Sequence, residues 1–253
     1  MTRKRCTVNL LAVAAIAFSL AAPDTVAFNL YTSDGTGADS YVQGNTSTAN
    51  FGNSTALLTQ FALTRDFSRK TYLRFDLSTL PTGVDGVDVQ SLKRTIDNIT
   101  PGEDPLKQVY VYGLNDGHAG ESWVEGDGGT DNSPAGEITW DNAPGNDTVS
   151  GSAVLSAETA LLYTTLFNST ETELVVPGEN LLSFIAADTD NLVTFIITYE
   201  RLSIHGGGAI KFASKEHQTL EAPLLFFIPE PAAGSLLLMA GLLLWRRWGK
   251  SVE

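Results

Sequence analysis

An all-β fold, a β-sandwich of jelly-roll type, follows from three features of the sequence between residues 28 and 228. No long stretch there has helical periodicity. Short alternating apolar and polar runs recur, separated by clusters of Gly, Asn, Asp, Ser and Thr. A repeat near 45 residues, which a propeller would show, is missing.

The N-terminal residues 1–27 read as a signal peptide. Thr2-Arg3-Lys4-Arg5 forms a positive start, residues 8–20 are apolar apart from Asn9 and Ser19, and Ala21, Ala22 and Ala27 offer small cleavage positions. Cys6, the one cysteine, lies inside this segment. An exported chain would therefore rest on its core without disulfides.

The clearest strand is 71–77. Leu73, Phe75 and Leu77 share one face and Tyr72, Arg74 and Asp76 the other, so the first three are expected on the core. Residues 108–112 alternate in the same way, with Val109 and Val111 opposite Tyr110 and Tyr112. Further strands are predicted at 40–43, 56–60, 173–176, 181–186, 193–199, 211–214 and 223–228. Two long connections, 85–107 and the Asp- and Gly-rich 115–151, interrupt the pattern.

At the other end, residues 229–253 begin with Pro229-Glu230-Pro231. An uncharged run to Trp245 follows, then Arg246-Arg247-Trp248-Gly249-Lys250. A helix over residues 232–245 would be about 21 Å long, short of the ~30 Å of a bilayer's hydrocarbon. It reads as a short transmembrane helix with the arginines on the cytoplasmic side. This order resembles the PEP-CTERM sorting signal. The resemblance implies a transient inner-membrane anchor, cleavage by an exosortase-type sorting enzyme, and release to the cell surface or extracellular matrix.

Removing the basic and acidic residues of the two ends leaves 10 basic against 27 acidic, Glu230 included. Such a surface repels nucleic acid and anionic lipid, and it suits divalent cations.

Several pieces of the middle region stand in a fixed order. They are Asp39-Ser40-Tyr41-Val42, Asn50-Phe51-Gly52, the run Leu73-Arg74-Phe75-Asp76-Leu77-Ser78-Thr79-Leu80-Pro81, and Trp123. Ile138-Thr139-Trp140-Asp141-Asn142-Ala143-Pro144 and Ser214-Lys215-Glu216 complete the set. Together they resemble the DNRLRE domain, also classed as carbohydrate-binding module family 96. The resemblance implies a non-catalytic module on a secreted protein, binding polysaccharide that in some members is acidic. The chain departs from the family pattern in the long loop from Trp123 to Ile138 and in an insertion at 94–104.

Candidate sugar-binding residues follow from chemistry. Arg65, Arg69, Lys70 and Arg74 place four basic residues within ten positions, and guanidinium groups grip uronate carboxylates bidentately. Arg74 has a structural alternative, pairing with Glu216, Asp39 or Asp76. Tyr72, Tyr110, Tyr112 and Trp123 offer rings for stacking on sugar C–H faces, and Trp140 reads as a packing residue. Asp116, Glu121, Glu125, Asp127, Asp131 and Asp141 cluster with glycines, with Asp116, Glu125, Asp127 and Asp131 the candidate ligands of a structural calcium, although no EF-hand spacing is present. For catalysis, His118, His205 and His217 are dispersed and no nucleophile or phosphate-loop motif occurs. The expected partner is thus a polysaccharide, uronate-containing or neutral. The rival readings are a matrix protein without a defined ligand and a polysaccharide lyase or glycosidase.

Overall fold

Alternation sorts the side chains of each strand between two layers, and in this protein both layers are buried over part of one sheet. The computed structural model describes residues 26–99, 106–129, 136–168, 170–202 and 208–229. The signal peptide reading of 1–27 and the sorting segment of 229–253 fall almost wholly outside the described residues, as does Asp131. No helix among the described residues is long and apolar enough to cross a membrane.

Among the described residues the strands are β1 (Phe28–Tyr31), β2 (Ala38–Gln43), β3 (Ala56–Thr59), β4 (Arg69–Asp76), β5 (Val89–Ile99), β6 (Lys107–Leu114), β7 (Thr159–Phe167), β8 (Glu173–Pro177), β9 (Leu192–Arg201), β10 (Ile210–Ala213) and β11 (Leu224–Phe227), with one α-helix, α1 (Gly178–Ala186). One sheet has the order β2-β4-β9-β6-β7. The other runs β1-β11-β5-β10-β3, with β8 also paired to β5. Every strand pairing is antiparallel.

The main core lies between the two sheets. Leu73, Phe75, Val109, Val111, Phe195 and Ile197 from the five-stranded sheet meet Leu30, Leu57, Leu92, Val176, Phe212 and Leu225 from the other. This arrangement is an all-β sandwich, as the alternation predicts, and Leu73 and Phe75 face the core as expected.

A second apolar cluster covers the opposite face of β2, β4 and β9. Ala38, Val42, Tyr72 and Ile196 from the strands pack there against Trp123, Ile138, Trp140 and Ala143 from the long excursion. The excursion is largely irregular, so its backbone polar groups need side-chain partners where they are buried. Asn50 supplies four such bonds. Its Nδ2 donates to the carbonyls of Glu125 (2.6 Å) and Ile138 (2.9 Å), and its Oδ1 accepts from the amides of Gly52 and Gly128 (both 3.0 Å). Asn146 Nδ2 donates to the Trp140 carbonyl at 2.6 Å, and Asn142 Oδ1 accepts from the Thr139 amide at 2.7 Å. The Asn-Phe-Gly and Trp-Asp-Asn motifs are thus the fastenings of this layer.

Two expectations need correction, and a further strand went unseen. Residues 181–186 form part of α1, not a strand. Leu181 and Ile185 are the buried pair, a spacing of four, and Pro177 stands at the N-cap. The 85–107 connection contains β5, which pairs with β11, β8 and β10 in the middle of its sheet. Lys93, Arg94 and Thr95 disguised it, because a charged residue such as Arg94 is seldom buried in a strand and here it is 1% exposed. β7 escaped detection because it is an edge strand with few buried side chains, and a bulge opposite Val111 and Tyr112 breaks its alternation.

Candidate functional site

The four basic candidates separate once folded. Lys70 is fully buried, with Nζ donating to Asn146 Oδ1 at 2.5 Å and to the carbonyls of Asp147 and Ala153, and it lies 4.6 Å from the Trp140 ring centroid. Burial pushes its pKa down from 10.5 to about 7, against the opposing pull of Asp147. Arg74 is buried as well. Its guanidinium donates to the carbonyls of Thr36, Glu121 and Trp123 and sits 5.0 Å from the Trp123 ring centroid. It bonds none of the carboxylates considered from sequence.

Tyr72 is fully enclosed, its hydroxyl lacks a hydrogen-bond partner, and burial raises its pKa. Trp123 packs edge-on against Tyr72 at 6.3 Å and donates from Nε1 to Thr194 Oγ1 at 3.3 Å. Lys70, Tyr72, Arg74 and Trp123 therefore hold the second core together and have no surface to offer a sugar. That corrects their assignment as binding residues. The physical reason is the excursion, which roofs the face that an uncovered sheet would have exposed.

Arg65 and Arg69 stay near solvent. Arg65 is exposed in a short turn and approaches Asp66 at 3.9 Å, whereas half-buried Arg69 donates from Nε to Gln43 Oε1 at 2.5 Å.

Tyr110 and Tyr112 occupy the part of the five-stranded sheet that the excursion leaves open. They stand on the outward face of β6, their ring centroids 6.3 Å apart and their planes only 24° from parallel. The Tyr110 hydroxyl donates to Glu200 Oε2 at 3.2 Å, and Tyr112 leans on the rim of the second core. Across the ladder, Thr164 lies opposite Tyr110, Leu166 opposite Gln108 and Leu161 opposite Tyr112. Both leucines are 55% exposed on an edge strand, which makes this a shallow apolar and aromatic floor edged by hydroxyl and carboxylate groups. The leucines of β7 were missed from sequence together with their strand. Alternation in β6 did signal the tyrosines.

The acidic candidates also separate. Glu125 joins Asp39 and Glu216, whose carboxylate oxygens lie within 4.8 Å of one another, and Asp127 is exposed elsewhere. Asp116 instead meets Asp188 and Asp190. Asp116, Glu125 and Asp127 thus form no common calcium site, contrary to the sequence expectation. In the first group Lys215 pairs with Glu125, and Asp39 Oδ2 accepts from Thr32 Oγ1 at 2.6 Å and from the Lys215 amide at 3.0 Å. Arg94, buried against the Phe212 ring, adds positive charge near Asp39. Burial, then Asp39 and Glu125, pushes Glu216 up to about 7. Two cations already offset these three carboxylates, so the group serves as a buried ionic fastening between β2, the excursion and the 214–216 turn. The Ser214-Lys215-Glu216 motif supplies two of its charged groups, Lys215 and Glu216.

His118 bonds Glu158 at 3.2 Å, and His217 accepts from the backbone amide of Leu220 at 3.0 Å. A cleft of 530 Å³ lies between the 77–86 segment and the end of α1, with no aromatic or basic side chain in its lining.

The sequence matches the family model for carbohydrate-binding module family 96 over residues 31–166, and no curated protein matches it. The match runs from the end of β1 through the excursion to β7, taking in the Asn-Phe-Gly and Trp-Asp-Asn fastenings and Tyr110 and Tyr112, and it stops short of Glu200 and the 214–216 turn. The chain belongs to carbohydrate-binding module family 96.

Proposed function

We propose that this protein is a non-catalytic polysaccharide-binding protein whose site is the open face of β6 and β7 around Tyr110 and Tyr112. One observation carries the reading: two near-parallel tyrosine rings, 6.3 Å apart, on the uncovered half of a sheet in a carbohydrate-binding module. Rings at that spacing can stack on adjacent sugar units of one chain, while Glu200, Thr164 and Gln108 supply polar contacts to hydroxyls.

The platform carries a carboxylate and no cation, so neutral glycan suits it better than uronate chains. A uronate would have to reach Arg65 and Arg69, because Lys70 and Arg74 are buried. Successive strands alternate between the two sheets from β1 to β6 and again from β7 to β10, which favours a jelly-roll topology. Residues 1–27 direct export in this account. Residues 229–253, with Pro229, Glu230, Pro231, Arg246 and Arg247, hold the chain in the inner membrane until a sorting enzyme releases it to the surface or matrix.

Affinity electrophoresis of the full chain in gels containing neutral glucans, mannans and xylans, and separately alginate, tests the binding. Retardation in a neutral gel that Tyr110→Ala and Tyr112→Ala abolish is expected. Retardation in alginate alone, lost on Arg65→Ala with Arg69→Ala and kept by the tyrosine variants, would move the site. No retardation anywhere would favour a matrix protein without a glycan ligand, and release of reducing ends or unsaturated sugars would mark an enzyme.

A further inference from the structure

We infer that Asp116, Asp188 and Asp190, backed by Glu121, form a calcium site that ties the start of the excursion to the turn between α1 and β9.

One carboxylate oxygen from each of the three aspartates lies within 4.8 Å of the others. Oxygen ligands 2.3–2.6 Å from one calcium ion stand no farther apart than about 5 Å, so the spacing suits a single shared cation. The backbone holds the three in place. Asp116 accepts from the Thr189 amide (3.0 Å) and hydroxyl (2.8 Å), Asp188 Oδ2 from the Asn191 amide (2.8 Å), and Asp190 Oδ1 from the Leu192 amide (3.0 Å).

Glu121 provides the independent sign of a ligand. It is 3% exposed, and its Oε2 has no hydrogen-bond partner. The charges of Asp190, Asp188 and Asp116 act on its carboxylate, which places it beside this group. Asp188 Oδ1 is buried and unpartnered too. Three carboxylates therefore converge with Glu121 close by, and no lysine or arginine forms an ion pair with any of the four among the described residues. Arg74 reaches only the Glu121 carbonyl. The Asp39, Glu125 and Glu216 group differs on this point, since it already has Lys215 and Arg94.

Oxygen ligands alone select a hard cation. His118, two residues beyond Asp116, is committed to Glu158. Irregular loop backbone tolerates the variable coordination of calcium better than the strict octahedron of magnesium.

The test is thermal unfolding of the full chain in calcium chloride against EDTA, with calorimetric titration of calcium. At calcium about 100-fold above Kd the melting temperature should rise by roughly 5–10 °C. Asp188→Asn should lose that shift and the binding heat, yet melt in EDTA no lower than the parent because a repulsion has been relieved. Asp190→Asn provides the same reading should Asp188→Asn fail to fold. Glu216→Gln, in the other group, should keep the full response. Absence of both shift and heat would overturn the inference, as would a response kept by both aspartate variants or lost only in Glu216→Gln.

Discussion

Replacing Trp140 with alanine removes the largest fully buried side chain of the second core. Truncating a buried Trp costs about 3–5 kcal/mol through lost transfer energy and the cavity left behind. Two further losses accompany it here. Trp140 Nε1 donates to the Thr148 carbonyl at 3.1 Å, a bond worth roughly 1 kcal/mol, and the ring lies 4.6 Å from the buried Lys70 ammonium, a contact worth ~0.5–2 kcal/mol. These effects overlap, so the expected loss is about 4–5 kcal/mol, or roughly 8–20 °C in melting temperature for a domain of this size. Because the sandwich core does not contain Trp140, far-UV circular dichroism below the transition should stay close to that of the parent. Limited proteolysis should cut first within the 115–158 excursion. Trp140→Phe, which keeps a ring beneath Lys70, should lose less than half as much. A loss under about 1 kcal/mol for the alanine variant, or unchanged proteolysis of the excursion, would refute the packing described here.

Asp76 receives the Thr36 amide (2.8 Å) and hydroxyl (2.9 Å) and the Ser78 amide (3.0 Å) and hydroxyl (2.5 Å), so Asp76→Ala should cost about 2–3 kcal/mol in urea unfolding. Burial pushes its pKa up, but those donors outweigh it and hold the carboxyl below its ordinary value. Its stabilisation is accordingly complete above the ordinary carboxylate range and lost as pH falls below it, and Asp76→Ala should flatten that acid limb of a stability-against-pH curve. Lys70, also held below its ordinary value, acts in the same sense at higher pH. Between about 7 and 10.5 the unfolded chain binds a proton that the folded amine does not, so stability from this residue rises with pH across that window. Lys70→Met should remove that rise in melts taken from pH 7 to 10.

Where a strand has one apolar and one polar face, sequence reveals it well. β4 and β6 were legible because Leu73, Phe75, Val109 and Val111 alternate cleanly. β5 was not, since its burial involves a charged group whose neighbours, Phe212 and Asp39, come from strands remote in the chain. Residues 181–186 contain an apolar stretch too short for its period to be read, and the buried Leu181 and Ile185 distinguish helix from strand only after folding. The candidate site was half visible. Tyr110 and Tyr112 were found from their face, but nothing local to Lys70, Tyr72 or Arg74 shows that a segment forty or more residues away along the chain, Trp123 included, roofs much of the same sheet. The acidic groups show the same limit, because Asp116 and Asp188 meet only through the packing of α1 and its turn.

The binding face is tested most directly by titrating the ¹⁵N-labelled protein with an oligosaccharide of the polysaccharide that retards it, following amide shifts residue by residue. Perturbations should concentrate in Gln108, Tyr110 and Tyr112 and in Thr164 and Glu200 across the ladder, and should vanish in the Tyr110→Ala, Tyr112→Ala double variant. Shifts gathered instead around Arg65 and Arg69, or in the cleft beside α1, would place the ligand elsewhere and contradict the account.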